Sequence, residues 1–224
     1  TLTINAVNDA PIFELINIDN EVISSVDVYE DFATQHVLVL PGLIPTDETG
    51  QVVEYVISPE SITSADISIN SETGEVTIEN IPNLYETVDF TVTAMDDGET
   101  ELDGVDVYSQ NFTLNITSVN DAPSFIIGDD QPISEDAGQI SIPSWATDMI
   151  AGPADESDQV LLFIVSTDDA TFFKDSHMPI IDENSGDLIY EIADNENGVA
   201  QVTVSLKDDG GIEFDGVDES VAQT

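Results

Sequence analysis

Hydrophobic and polar residues alternate in short runs along this chain. Phe90-Thr91-Val92-Thr93-Ala94 and Val202-Thr203-Val204-Ser205-Leu206 put an apolar side chain at every second position with Thr or Ser between. That period of two predicts half-buried β-strands. Phe112-Thr113-Leu114-Asn115-Ile116 and Leu2-Thr3-Ile4 follow the same rule. Residues 52–57 and 160–165 are nearly continuous apolar runs suited to central strands. Glu75-Val76-Thr77-Ile78 follows a turn at Thr73-Gly74, and Asp187-Leu188-Ile189-Tyr190 follows Ser185-Gly186. No stretch sustains a helical period. Roughly seven short strands per hundred residues, separated by frequent turn residues, predict an all-β fold of Greek-key β-sandwiches with an Ig-like build.

The strand pattern recurs as a tandem repeat. TLTINAVNDAP at 1–11 returns as FTLNITSVNDAP at 112–123, with Asn8 and Asn120 separated by 112 residues in a chain of 224. MDDG at 95–98 and KDDG at 207–210 share that offset, as do DGVD at 103–106 and 215–218 and the Thr-Gly and Ser-Gly turns. Four landmarks at one spacing establish the duplication, which suits two compact domains each burying its own core. The repeats are out of register with the chain. The first runs from DGVD into FTLNITSVNDAP, while the second runs through DGVDESVAQT to Thr224, and the matching continuation stands at residues 1–11. The expected organisation is therefore 1–10 as the last strand and linker of a preceding or donated-to repeat, 11–122 as domain 1, and 123–224 as domain 2 without its own last strand.

Charge changes the picture. Forty-seven Asp and Glu face two lysines and no arginine, a formal net charge of −45. Nucleic acid and anionic membrane surfaces are excluded as electrostatic partners. Self-repulsion on this scale calls for screening or bound cations. A hydrophobic fraction of 41% argues for folded cores despite the charge. Cysteine is absent, which removes disulfides and thiolate metal sites. With no apolar run near the length of a membrane span and no basic-then-apolar leader, the expectation is a soluble piece of an exported protein or a mature chain, without membrane insertion.

NDAP closing each repeat, the phrase Ala94-Met95-Asp96-Asp97-Gly98, the turn SETGEV at 71–76 and LYET at 84–87 together resemble cadherin-like domains. DDGGIEFDGVDESVAQT at 208–224, read together with TLTINAVNDAP, resembles the tandem cadherin-like repeats of very large bacterial surface proteins and RTX-type adhesins. The resemblance covers nearly the whole chain and implies calcium ions at the junctions between repeats. It implies Glu30, Glu86, Asn120 and Asp121 as ligands from the first repeat, with Asp148 and Asp208 from the second. For the incoming junction it implies Asn8 and Asp9 with Asp47 and Asp96. An outgoing junction would begin with Glu135. The second repeat departs from the pattern, since Gly198 stands where Glu86 is matched. Its loop at 147–158 is also longer, so Asp155, Glu156 or Asp158 could replace or supplement Asp148. Calcium takes six to eight hard oxygen ligands, which such residues supply.

Catalysis is not suggested. His36 and His177 lie in dissimilar contexts, and carboxylates are too abundant for any acid–base pair to stand out. Trp145 is read as a core residue, with a sugar platform as the alternative. The sequons at 111–113 and 115–117 fall within a predicted strand. The expected function is structural: calcium-rigidified repeats in an extracellular rod or adhesin stalk. Partners would be adjacent repeats of the same chain or identical subunits head to tail, with a cell-surface glycan or protein as a further possibility. Two alternatives remain open. One is a filament subunit that donates residues 1–7, through Leu2 and Ile4, to domain 2 of the next copy; the other is a carbohydrate- or protein-binding adhesion module.

Overall fold

The computed structural model describes residues 1–98 and 100–224, and the chain divides into two compact units, Thr1–Ser118 and Val119–Thr224. The boundary precedes the NDAP phrase because Asn120 and Asp121 are hydrogen-bonded into the second unit. Every regular element among the described residues is a β-strand or a single 3-10 turn.

The first unit contains β1 (Phe13–Ile16), β2 (Ser25–Tyr29), β3 (Gln35–Pro41), β4 (Val53–Ser58), β5 (Ala65–Ile69), β6 (Val76–Asn80), β7 (Thr87–Asp96) and β8 (Val107–Thr117). They form two four-stranded sheets, β1-β3-β6-β5 and β2-β8-β7-β4. Apolar positions of both sheets meet in one core, including Phe13, Val37, Val76 and Ile78 from the first and Tyr55, Phe90, Val92 and Leu114 from the second. The unit is thus a β-sandwich whose strands obey the alternation read from the sequence. The central ladder is β7 against β8, antiparallel from Thr87↔Asn115 to Met95↔Val107. Within it the rings of Phe90 and Phe112 stack at 5.2 Å. The far half of β8 also pairs in parallel with β2, from Ser25↔Thr113 to Tyr29↔Thr117. Phe112, Leu114 and Ile116 are consequently buried, each worth about 1.5–3 kcal/mol on area alone.

The second unit contains β9 (Ser124–Ile126), β10 (Gln139–Ile142), β11 (Thr147–Ile150), β12 (Leu162–Thr167), β13 (Ile180–Ile181), β14 (Leu188–Glu191) and β15 (Val202–Lys207). Its sheets are β10-β14-β13, β11-β9 and β12-β15, around a core that includes Phe125, Phe163, Leu188, Tyr190, Val204 and Leu206. The counterpart of β3 is broken into β10 and β11 by Pro143-Ser144-Trp145-Ala146, with Ser144 at φ 49°. Trp145 packs against the core and donates its indole N–H to the Asp129 carbonyl at 3.0 Å, the role expected of a core residue. Leu2-Thr3-Ile4, expected as a strand of a preceding or donated-to repeat, adds no strand to the first unit. Leu2 and Ile4 are 85% and 86% exposed. Alternation makes a segment competent to be a strand, but a strand exists only against a neighbour.

Removing the Phe112 ring opens a cavity in the first core alone. We expect Phe112→Ala to lower the stability of the first unit by about 3–5 kcal/mol. Calorimetry should show one transition shifted down and the second unit's transition unmoved.

Candidate metal centre

One cluster is built twice, once in each unit, around the Asn of NDAP. In the first unit the Asn8 side chain donates to Asp96 Oδ1 at 2.9 Å and to the Val105 carbonyl at 2.8 Å. Val105 N–H returns a bond to the Asn8 carbonyl at 2.9 Å. Gln51 Nε2 donates to Asn8 Oδ1, and Asp9 N–H donates to Glu48 Oε1. The second unit repeats each bond. Asn120 Nδ2 reaches Asp208 Oδ1 at 3.0 Å and the Val217 carbonyl at 2.8 Å. Gln159 Nε2 donates to Asn120 Oδ1 at 2.7 Å, and Asp121 N–H donates to Glu156 Oε1 at 2.9 Å.

The strands explain why these groups meet. Asp96 closes β7 and Asp208 follows β15, so each sits where its strand turns into the DDG phrase. The following Gly98 and Gly210 donate back to the same Oδ1 atoms, at 2.9 and 3.0 Å. Neither glycine can carry a side chain, because a Cβ at Gly98 would strike Asn8 Oδ1 and one at Gly210 would strike Asn120 Oδ1. The second Asp of each phrase pins the neighbouring loop: Asp97 accepts from Val52 N–H at 2.9 Å and Asp209 from Val160 N–H at 2.8 Å. Opposite them the β7–β8 hairpin ends in Leu102 and Asp103, at φ 58° and 68°. Phe214 and Asp215 repeat those angles in the second unit. Two successive left-handed residues turn the chain so that DGVD faces the Asn.

In the second unit the cluster is buried: Glu156 is 5% and Asp208 3% exposed. Glu156 Oε2, Asp208 Oδ2 and Gln159 Oε1 are all buried without a hydrogen-bond donor. Buried oxygens of this kind are costly unless something positive meets them. Glu156 Oε2 also lies against Gly152, where a Cβ would collide with it. Burial pushes the Glu156 carboxyl above its ordinary pKa. The Asp121 N–H bond opposes this, and the charges of Asp121, Asp155 and Asp208 add to it. The chemistry of the set, hard oxygens with orphaned lone pairs, fits calcium better than any softer metal. No group of three or more His, Asp or Glu side chains among the described residues is already gathered as a ligand shell. The orphaned oxygens are therefore a partial donor set.

The structure brings together Asn8 with Asp96, places the backbone of Asp9 beside them, and does the same with Asn120, Asp208 and Asp121. Asp47 is exposed, and its neighbour Glu48 holds the buried place. Asp148 lies exposed in β11 at φ 49°, and the equivalent place is filled by Glu156. The pairing of Thr46-Asp47 with Thr147-Asp148 is therefore replaced by DETGQ at 47–51 with DESDQ at 155–159. That match, with Gln51 and Gln159 at its end, was the available signal. Glu30 is 8% exposed, with Ser118 Oγ donating to its Oε1 at 3.3 Å in the first unit. Glu86 Oε1 accepts four bonds, from the N–H and hydroxyl of both Thr63 and Ser64, at 2.8–3.0 Å. Burial works to raise the Glu86 carboxyl, but these bonds outweigh it and hold the pKa below its ordinary value. Glu135 is exposed in a turn. At Gly198, the position matching Glu86, a Cβ would strike the Phe172 ring, so the second unit has no carboxylate there.

Both lysines are committed within the second unit. Lys174 Nζ meets Glu191 at 2.7 Å and Asp194 at 3.1 Å, and Lys207 Nζ meets Asp218 at 2.7 Å. His36 pairs with Glu75 and His177 with Glu191, at 3.0 and 3.3 Å, with no nucleophile arranged around either imidazole among the described residues.

Comparison with known proteins finds no matching family model and no matching curated protein. Solved structures are similar over most of the chain. Human protocadherin-24 EC1-2 aligns at 17% identity and TM-score 0.43, covering 95% of each chain. Drosophila N-cadherin EC1-4 aligns at 18% identity and TM-score 0.49, over 91% of this chain and 46% of that one. Mouse cadherin-23 EC22-24 aligns at 15% identity and TM-score 0.42, over 93% and 64%. Likenesses at this level carry no inference about function.

Two substitutions separate the roles of these carboxylates. Glu86→Ala strands the N–H and hydroxyl of Ser64, which is 1% exposed, and should cost the first unit about 1–3 kcal/mol. Because the folded pKa of Glu86 is depressed, its contribution is full above the unfolded pKa and is lost as pH falls through the folded value. The variant's stability curve should therefore be flatter on the acid side. Glu156 has the opposite sign, since a raised folded pKa costs stability as pH rises from the unfolded range through the folded value. With a chelator present at pH 7, Glu156→Gln should raise the second transition by about 2–6 °C. That gain should disappear in mildly acidic buffer, as read by calorimetry across pH.

Proposed function

We propose that this chain is a non-enzymatic, calcium-binding pair of cadherin-like repeats that forms part of an extracellular rod, such as the stalk of a bacterial surface adhesin. The observation that carries this reading is the buried trio of Glu156 Oε2, Asp208 Oδ2 and Gln159 Oε1. These oxygens lack donors in a chain with a net charge of −45 whose two lysines are occupied elsewhere. A divalent cation is the partner this arrangement calls for. Asp208, Glu156, Asn120 and Asp121 would hold it in the second unit, with Asp96, Glu48, Asn8 and Asp9 as the equivalent set in the first. Glu30, Glu86, Asp47 and Glu135 enter this proposal as further oxygen donors from the resemblance, and Asp148 gives way to Glu156. When bound, calcium supplies positive charge that converts repulsion among these carboxylates into attraction.

Each cluster also ties the NDAP linker to the unit that follows it, through Asn8 to Val105 and Asn120 to Val217. A metal gripped at that point stiffens the linker, which is what a stalk requires of its joints. The partners in this reading are neighbouring repeats of the same kind. A sugar platform is disfavoured by Trp145, whose ring packs on the core and whose indole N–H is spent on Asp129.

Calcium titration tests the proposal. At a hundredfold excess over Kd, binding to the folded state adds about 2.7 kcal/mol. For units of about a hundred residues this is a Tm increase on the order of 10 °C. Chelation should reverse it, and small-angle scattering should show a broader spread of dimensions without calcium. A Tm and scattering profile indifferent to millimolar calcium, with no heat in titration calorimetry, would exclude the reading. Magnesium serves as the control for simple charge screening.

A further inference from the structure

Of the asparagines in the chain, only Asn197 is followed by glycine. The backbone nitrogen after an asparagine can close a five-membered ring on the side-chain amide carbon, and a glycine there leaves that approach unobstructed. Whether the ring closes depends on what holds the side chain and the next N–H.

Elsewhere one or the other is held. Serine follows Asn70 and Asn184. Asn70 Oδ1 accepts the N–H groups of Glu72 and Thr73, at 2.9 and 3.1 Å. Ser185 N–H, beside Asn184, is donated to Asp182 Oδ1 at 2.8 Å. In the two NDAP phrases the N–H groups of Asp9 and Asp121 are held by Glu48 and Glu156.

Around Asn197 the chain is anchored on either side. Asn195 N–H donates to Asp136 Oδ1 at 3.1 Å, and Gln201 N–H donates to Asp168 Oδ1 at 2.8 Å. Between these anchors Asn197, Gly198 and Val199 are exposed and form no hydrogen bond among the described residues. Glycine is required at 198 by the backbone, which takes φ 156° there, and by the Phe172 ring, which a Cβ would strike. The matching residues of the first unit, Tyr85 and Glu86, show that pairing of a last strand leaves this place open. Tyr85 is 51% exposed, and Ile116 N–H bonds to the Glu86 carbonyl, leaving the Glu86 N–H free.

We infer that Asn197-Gly198 is a self-modifying step that converts to aspartate and isoaspartate through a succinimide, with water as its only co-reactant. The Gly198 nitrogen loses its proton to solvent and forms a bond to Asn197 Cγ. The bond from Cγ to the side-chain nitrogen breaks, and that nitrogen leaves as ammonia, taking a proton from solvent. Water then opens the ring at one of its two carbonyls. Opening at Cγ gives aspartate; opening at the backbone carbonyl gives isoaspartate, with Cβ inserted into the main chain. Nothing is oxidised or reduced. Either product adds a carboxylate one residue from the position matched to Glu86, in the unit that has glycine there. Isoaspartate also lengthens the connection into β15, whose Val204 and Leu206 lie in the core. The step needs no metal and stands apart from the calcium reading.

Prolonged incubation of the folded 224-residue chain in neutral buffer tests this. Lysine stands only at 174 and 207, so trypsin releases residues 175–207 as one fragment, with Asn184 as an internal control beside Asn197. Fragmentation mass spectrometry locates the exchange of NH2 for OH, and isoaspartyl methyltransferase labelling counts the isoaspartate. Asn197 in the folded chain should convert at close to the rate of a synthetic peptide spanning 193–201. Asn184 should lag its own peptide by at least about tenfold, because its reaction waits on local opening of the turn. Asn197→Gln should remove the methyl-accepting product from this fragment. An Asn197 that stays intact, or that lags its peptide as far as Asn184 does, overturns the inference. An Asn184 that keeps pace with its own peptide overturns it as well, since the fold would then make no distinction between the two.

Discussion

The constraint that governs this molecule is carboxylate crowding without internal cations. Forty-seven acids and two lysines leave almost every charge to be met by backbone N–H groups, hydroxyls, amides or something from solution. The structure uses the first three wherever it can. Asp97 and Asp209 cap loop amides, Glu86 collects four donors from Thr63 and Ser64, and Asp182 accepts from the N–H groups of Asn184 and Ser185. Where the donors run out, at Glu156 and Asp208, the carboxylates are also buried. Those two sites carry the unresolved charge of the second unit, and the functional reading starts there.

Asparagine is the organising residue because it is neutral and two-faced. Its amide can donate to an Asp carboxylate and a backbone carbonyl while its oxygen accepts from a glutamine. An aspartate in its place would add a charge to the cluster and remove both donors. The glycine of DDG completes the arrangement by leaving room for that side chain. Asn, first Asp and Gly thus form one unit of packing even though they stand far apart in the chain.

Much of this was legible in the sequence. The landmarks spaced by 112 residues locate Asn8, Asn120, Asp96 and Asp208, and the structure joins each Asn to its Asp. The strand positions of 90–94, 112–116 and 202–206 followed from alternation, because burial on one face of a sheet imposes it. Two things were hidden. The acidic loop is offset by 108 rather than 112, so Glu156 was eclipsed by Asp148, whose Thr-Asp dipeptide looks like Thr46-Asp47. The other is the break of the β3 counterpart at Pro143–Ala146, where Trp145 donates its indole N–H to the Asp129 carbonyl. Leu2–Ile4 shows the converse limit. Its pattern is that of the buried strand at 113–117, and within the first unit Leu2 and Ile4 are exposed.

The proposed calcium ion would sit against the orphaned oxygens of the Asn120 cluster. Crystals of the chain grown in calcium, with anomalous differences collected at long wavelength, test it most directly. A peak about 2.3–2.6 Å from both Glu156 Oε2 and Asp208 Oδ2 is the expected result. A map with no anomalous density at that cluster in millimolar calcium, and with Glu156 and Asp208 hydrogen-bonded to each other or to water instead, would contradict it.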